Sequence, residues 1–191
     1  VAQETSTTSV IGFLFEGLTR FNPESGDIEP CLAESWDCRA DGLEWIFHLR
    51  KNVVWFDGNP FTAKDVEFTF NEIIFNPKTP IPARGIFTLN GIPIFVKALD
   101  DATVQFNLPS PFAPFLLSLG QPILPKHALR NAVLEGSLAS AWGINEKPEN
   151  IIGTGPFKLR RYVPGERAEL VRNNLYWKKN TEGTSLPYLE K

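Results

Sequence analysis

Methionine is absent from this 191-residue chain, and cysteine and histidine occur only twice each. Cys31 and Cys38 stand seven residues apart, a spacing that matches no zinc pattern, and only His48 and His127 remain to complete a soft-metal site. A disulfide between them would need their Cα atoms within about 7 Å, and so a tight reversal of the chain. The simpler reading is two small half-buried side chains. No apolar run approaches the roughly 20 residues that cross a bilayer. No basic–apolar–small leader pattern opens the chain. An excess of cationic residues is also missing: 19 Lys and Arg stand against 22 Asp and Glu, for a net charge of −3. A protein that works by neutralising phosphates is normally basic, so nucleic acid is excluded as a partner. The first residue is Val1, which points to a processed chain or one cut from a longer protein.

Aromatic residues are plentiful, at 12% with 15 Phe and 5 Trp. Such a chain has ample apolar surface to bury and is not disordered. At 21.4 kDa, surface scaling allows about 70% of the unfolded area to be buried, enough for one domain or two small modules. The 16 Pro and 14 Gly are spread along the chain, which favours many short elements over a helical bundle.

The apolar spacing of Val10, Ile11, Leu14, Phe15 and Leu18 predicts a helix from Thr5, with Gly17 as its C-cap. Two hairpins follow: Leu18–Phe21 with Ile28–Pro30, then Glu34–Arg39 with Glu44–Arg50 around Asp41-Gly42. In the second, Trp45, Phe47 and Leu49 share one face. Thr62 opens the best-marked helix: Asp65 completes a capping box, Phe61 and Val66 form a hydrophobic staple, and Asn76-Pro77 ends it. Its predicted buried stripe is Ala63, Val66, Phe70, Ile73 and Ile74. Residues 78–90 read as irregular. Strands follow at Ile92–Leu99 and Thr103–Leu108, with short helices at Pro111–Leu119, from His127 to about Asn131, and at Ser137–Trp142. A last hairpin pairs Gly155–Tyr162 with Arg167–Arg172. The class is α+β, with mixed or antiparallel sheets and separate short helices.

Catalytic patterns are sparse. There is no Gly-x-Ser-x-Gly elbow, and His48 and His127 have no nucleophile beside them in sequence. Gly153-Thr-Gly155 lacks the Lys and Ser/Thr of a P-loop and opens a strand, so it reads as a sharp bend whose backbone can meet a ligand. The carboxylate pairs are Asp100-Asp101 in a turn, Asp65/Glu67 on a helix surface and Glu166/Glu169 around a turn. Nothing turns any of them toward a shared cleft. Trp36 and Trp45 fit core faces, and Trp55 is ambiguous.

Seven blocks taken together resemble one family. They are Phe15-Glu-Gly-Leu18, Pro30-Cys-Leu-Ala-Glu-Ser-Trp36, Trp45-Ile-Phe-His-Leu-Arg-Lys51, Val54-Trp-Phe-Asp-Gly-Asn-Pro-Phe-Thr-Ala-Lys-Asp-Val66, Ile123-Leu-Pro-Lys-His127, Gly153-Thr-Gly-Pro-Phe157 and Asn174-Leu-Tyr-Trp-Lys178. Their order and spacing resemble the extracellular solute-binding protein family 5, the dipeptide-, oligopeptide- and nickel-binding receptors of ABC importers.

The resemblance implies a periplasmic or extracellular receptor, membrane-anchored in some forms. Its fold is of periplasmic binding protein type II, with two lobes closing on a ligand. This chain would be part of the N-terminal lobe. Residues 18–122 would form an inserted β-rich subdomain, and residues 1–17 and 123–191 an incomplete ligand-facing one. The implied partners are an oligopeptide or other small solute and the membrane permease subunits, with no cofactor, no metal and no catalysis. Cleft contacts are expected from Gly153, Thr154, Gly155 and Phe157, and from the irregular segment Pro80–Phe87, where Arg84 could meet a ligand carboxylate and Phe87 line the wall. Two other readings stay open: a small hydrolase using His127 or a carboxylate, and a stand-alone interaction module of residues 18–122.

Overall fold

A computed structural model describes residues 5–79, 81–143, 146–164 and 166–191. Helix α1 spans Thr5–Leu14. It ends three residues before Gly17, so Gly17 is not its cap. A Cβ on Gly17 would lie 2.4 Å from the Leu119 carbonyl oxygen, and close approach is what this glycine serves. Strands β1 (Thr19–Phe21) and β2 (Ile28–Pro30) then pair as an antiparallel hairpin, Thr19 opposite Pro30.

The centre of the molecule is a four-stranded antiparallel sheet in the order β3-β4-β8-β7. Its strands are β3 (Ala33–Cys38), β4 (Glu44–Leu49), β7 (Phe95–Ala98) and β8 (Thr103–Asn107). Alternation decides its faces. Phe47, Leu49, Val96, Val104 and Phe106 are buried on one side. On the other, Glu44 accepts a hydrogen bond from Gln105 and Asp37 pairs with His48. Ring–ring contacts tie the inner face together: Phe106 lies 5.4 Å from Phe47, 5.2 Å from Phe70 and 5.6 Å from Phe115, all edge-on. Trp55 is fully buried in the same core, which resolves its ambiguity.

The capped helix covers that inner face. Helix α2 (Ala63–Phe68) begins at Thr62, whose backbone N–H donates to the Asp65 carboxylate at 2.9 Å. Asp65 is only 4% exposed, not on the helix surface as the spacing implied. A π-helical turn, Thr69–Ile74, continues the helix, closed by a bond from the Phe75 N–H to the Phe70 carbonyl. The wider turn gives one helix two buried faces. Val66, Phe70 and Ile74 enter the main core, while Phe68 and Ile73 enter a second cluster with Leu129.

Several expected elements differ. Within the stretch expected to be irregular lies a short helix α3 (Ala83–Ile86), followed by β5 (Thr88–Leu89), which pairs in a hairpin with β6 (Ile92–Pro93) beyond it. Its turn, Asn90-Gly91, has φ of 52° and 81°, the left-handed pair that Asn-Gly provides. Helix α4 is the single turn Phe115–Ser118, and α5 runs on to Leu134 from Lys126. Residues 137–142 form turns rather than a helix. The final hairpin joins β9 (Phe157–Val163) to β10 (Arg167–Arg172) with a bulge at Arg160. Cys31 is buried and Cys38 exposed, and both are free thiols, so the pair is not evenly half-buried as expected.

Candidate functional site

The run 153–157 is sewn into the molecule by its backbone. The Gly155 N–H donates to the Leu14 carbonyl at 2.9 Å, and the Gly153 carbonyl accepts from Phe56 at 3.0 Å. The Asn173 side-chain amide donates to the Gly155 carbonyl at 2.9 Å. A Cβ would stand 1.9 Å from the Leu14 oxygen at Gly153 and 2.3 Å from the Phe13 oxygen at Gly155. Only glycine permits these strands of chain to approach so closely. Thr154 is 1% exposed between them. The half-buried Phe157 packs edge-on against Phe13, centroids 5.8 Å apart.

Beside this run lies a cluster that no residue spacing announced. One oxygen of the half-buried Glu16 carboxylate accepts from the Tyr176 hydroxyl at 2.9 Å and the Cys31 thiol at 3.5 Å. The other accepts from the Trp177 indole at 2.9 Å. The buried Thr154 hydroxyl lies near the same carboxylate without a hydrogen bond of ordinary geometry. Arg50 closes the group, stacked 4.4 Å over the Trp177 ring and donating to the Cys31 carbonyl at 2.7 Å. Burial pushes Glu16 above the usual carboxylate range, against the pull of the Trp177, Tyr176 and Cys31 donors. Burial raises Cys31 and Tyr176 as well, and the neighbouring Glu16 charge adds to it. This cluster joins the chain blocks 15–18, 30–36, 45–51 and 174–178, four of the seven that carry the family resemblance. That co-occurrence was the available signal for Glu16.

Arg84 and Phe87 occupy a different neighbourhood. The Arg84 guanidinium donates to the carbonyls of Ile74 at 2.9 Å and Thr79 at 2.6 Å, and also to Asn76. Phe87 is buried, edge-on to Phe70 at 4.9 Å. Both side chains therefore serve the wall of the loop. Pro80, at the start of the expected segment, lies outside the described residues.

The histidines each meet a carboxylate. His127 Nε2 lies 2.7 Å from Asp57, and His48 Nε2 lies 2.9 Å from Asp37. Burial raises Asp57, but hydrogen bonds from Asn59 and His127 outweigh it and leave the carboxyl below its ordinary range. Asp65 is the reverse: burial dominates the bonds from the Lys126 and Thr62 amides and raises it. Among the described residues no group of three or more His, Cys, Asp or Glu is placed to hold a metal ion. Among them, no helix is long and apolar enough to cross a membrane.

Comparison with known proteins bears directly on this arrangement. Residues 27–191 match the bacterial extracellular solute-binding proteins, family 5 Middle. A probable ABC transporter-binding protein of Deinococcus radiodurans is 33% identical, over 91% of this chain and 30% of its own length. Two solved structures share the fold. NikZ from Campylobacter jejuni, bound to Ni(L-His), has a TM-score of 0.74 at 35% identity, over 89% of this chain and 32% of its own. DppA from Helicobacter pylori, bound to the peptide STSA, has a TM-score of 0.75 at 31% identity, over 93% of this chain and 37% of its own. The chain thus spans about a third of the length of the relatives it matches. Such relatives are solute-binding proteins rather than enzymes, and several are named periplasmic. With its α+β architecture of small antiparallel sheets, the chain belongs to the family 5 solute-binding proteins.

Proposed function

We propose that this chain is part of the N-terminal lobe of a receptor that captures a peptide or similar small solute outside the cytoplasm and delivers it to an ABC permease, without catalysis. The likeness to the peptide-bound Helicobacter pylori protein over 93% of this chain carries the reading. In it, residues 18–122 are the inserted β-rich subdomain, and residues 1–17 and 123–191 belong to the ligand-facing one. Gly153, Thr154, Gly155 and Phe157 shape one wall from behind, their backbone tied to Leu14, Phe56 and Asn173. Arg84 and Phe87 hold the loop of a second wall from behind. The Glu16 cluster fixes the first wall against the rest of the lobe. His127, the residue a hydrolase would need, has Nε2 engaged by Asp57. Closure of two lobes on the solute by a hinge completes the cycle.

The test is a chimera in which this chain replaces the matched third of the Helicobacter pylori protein. Calorimetry with STSA should give a Kd within tenfold of the parent's. A folded chimera that no longer binds would overturn the reading.

A further inference from the structure

Two adjoining hollows of about 360 and 410 Å³ lie between α5 and the β9–β10 hairpin, with Glu149 and Ile152 forming the wall they share. The lining cations all lie in the second hollow, and Glu149 borders both. The first has an apolar floor of Ala128, Ala132 and Leu129, the Trp142 ring on one side and Glu146 and Glu149 at the rim, with no cation among its lining residues. The second is lined by Leu159 and Val171 and carries Lys158 and Arg160. Asp57 also borders that end; its oxygens accept from Asn59 and meet His127, and its charge reaches Lys158.

Charge is left over at both ends. Among the described residues, the side chains of Glu149 and Arg160 form no hydrogen bond or ion pair, although the Arg160 charge reaches Glu169. Glu146 accepts from Asn150 and the Lys147 amide through one oxygen only. Arg160 is the bulged residue of β9: the register passes from Arg161 opposite Glu169 directly to Leu159 opposite Leu170. Bulges re-aim side chains beside functional sites, and here the bulged residue is a lining cation. The Lys158 ammonium donates once, to the Phe56 carbonyl at 2.8 Å, and retains two N–H groups. Burial lowers the lysine's affinity for its proton, an effect that an incoming anion reverses.

We propose that this groove is a second binding site, for a short linear zwitterion of dipeptide or tripeptide size. The ammonium would sit against Trp142, Glu146 and Glu149 and the carboxylate against Lys158 and Arg160. An aromatic face with carboxylates suits an ammonium, and paired cations suit a carboxylate. Each hollow is within the size of small-molecule sites, and the apolar floor accepts aliphatic side chains. The site rests on the receptor reading only in sharing its class of ligand, since every residue named for it lies in this chain.

The test titrates the chain itself, by ¹H–¹⁵N NMR, with Ala-Leu-Ala, with its N-acetylated form and with its C-amidated form. Saturable binding of the free peptide is expected, with shifts centred on residues 128–160. Affinity should fall at least fivefold with either cap, and likewise in the Glu149→Gln and Arg160→Gln variants. Both substituted residues are exposed, so both variants should keep the parent's dispersed spectrum. Absence of saturation overturns the proposal. So does binding that ignores the caps, or that responds to only one of them. The chimera experiment is independent: a receptor that binds STSA beside a groove that does not bind Ala-Leu-Ala would retire this site alone.

Discussion

Strands β8 and β9 are both antiparallel hairpin strands, yet they are secured in opposite ways. Strand β8 has neighbours on both edges, and its Val104 and Phe106 are fully buried among rings. Among the described residues strand β9 pairs only with β10, and no residue from 157 to 163 is buried. What holds β9 is at its base: the glycine contacts at 153 and 155, the Lys158–Phe56 bond and the edge-on pair of Phe157 with Phe13. An isolated two-stranded ribbon is marginal in water. The central sheet therefore stands by burying surface, whereas the hairpin stands by where its first residues are tied.

The largest expected effect breaks the first half of that contrast. Phe106→Ala should cost about 3–5 kcal/mol in urea unfolding, because it empties the centre of the ring cluster. The matching change on the hairpin, Leu159→Ala, should cost about 1 kcal/mol, as a half-buried side chain loses less area. Equal losses would mean that the two regions share one core.

Next is Gly155→Ala, which tests the tie itself. Its methyl meets the Phe13 and Leu14 carbonyls, and overpacking of this kind costs about 1–3 kcal/mol. Hydrogen exchange should quicken through 157–172 before it does in β4 or β8. Uniform quickening would place the hairpin within the central cooperative unit.

Glu16→Ala leaves the Tyr176 and Trp177 donors without their acceptor, a loss of about 1–3 kcal/mol. Glu16→Gln separates charge from shape. Because the folded chain holds the Glu16 proton more tightly than the unfolded chain, parental stability should decline as pH rises above the usual glutamate value through the raised one. The Gln variant should lack that decline, and thermal melts across the window read the difference. Asp57 has the opposite sign. Its depressed pKa stabilises above the ordinary aspartate value and is lost as pH falls through the lowered one, so Asp57→Asn should flatten the acid limb. The smallest effect is Lys64→Ala, which removes an ion pair open to solvent on both sides and should melt with the parent.

The hairpins at 41–42 and around 163–166 were legible because turn chemistry and alternation agree there. The 90–91 turn was obscured by the flanking prolines, although Asn-Gly is the strongest short signal for a hairpin. The π turn after Phe68 was not legible at all. One extra residue shifts the helical register without altering composition, and only packing on two cores requires it. Residues 137–142 have helical apolar spacing, but they are bounded by Gly136 and Gly143 and close as turns instead. Part of the candidate site was legible as bent backbone at 153–155. The Glu16 cluster was not, since its partners lie up to 161 positions away.

The unequal cysteines have a practical consequence. Cys31 sits under the Glu16 carboxylate with burial holding its proton in place, while Cys38 is exposed on β3, at the rim of the central sheet. Since these are the only two thiols in the chain, mildly alkaline maleimide chemistry should attach a single fluorophore or spin label to the native sequence. Distances from that one point to a second probe on the hairpin would report whether the tied base swings or stays fixed as ligand arrives.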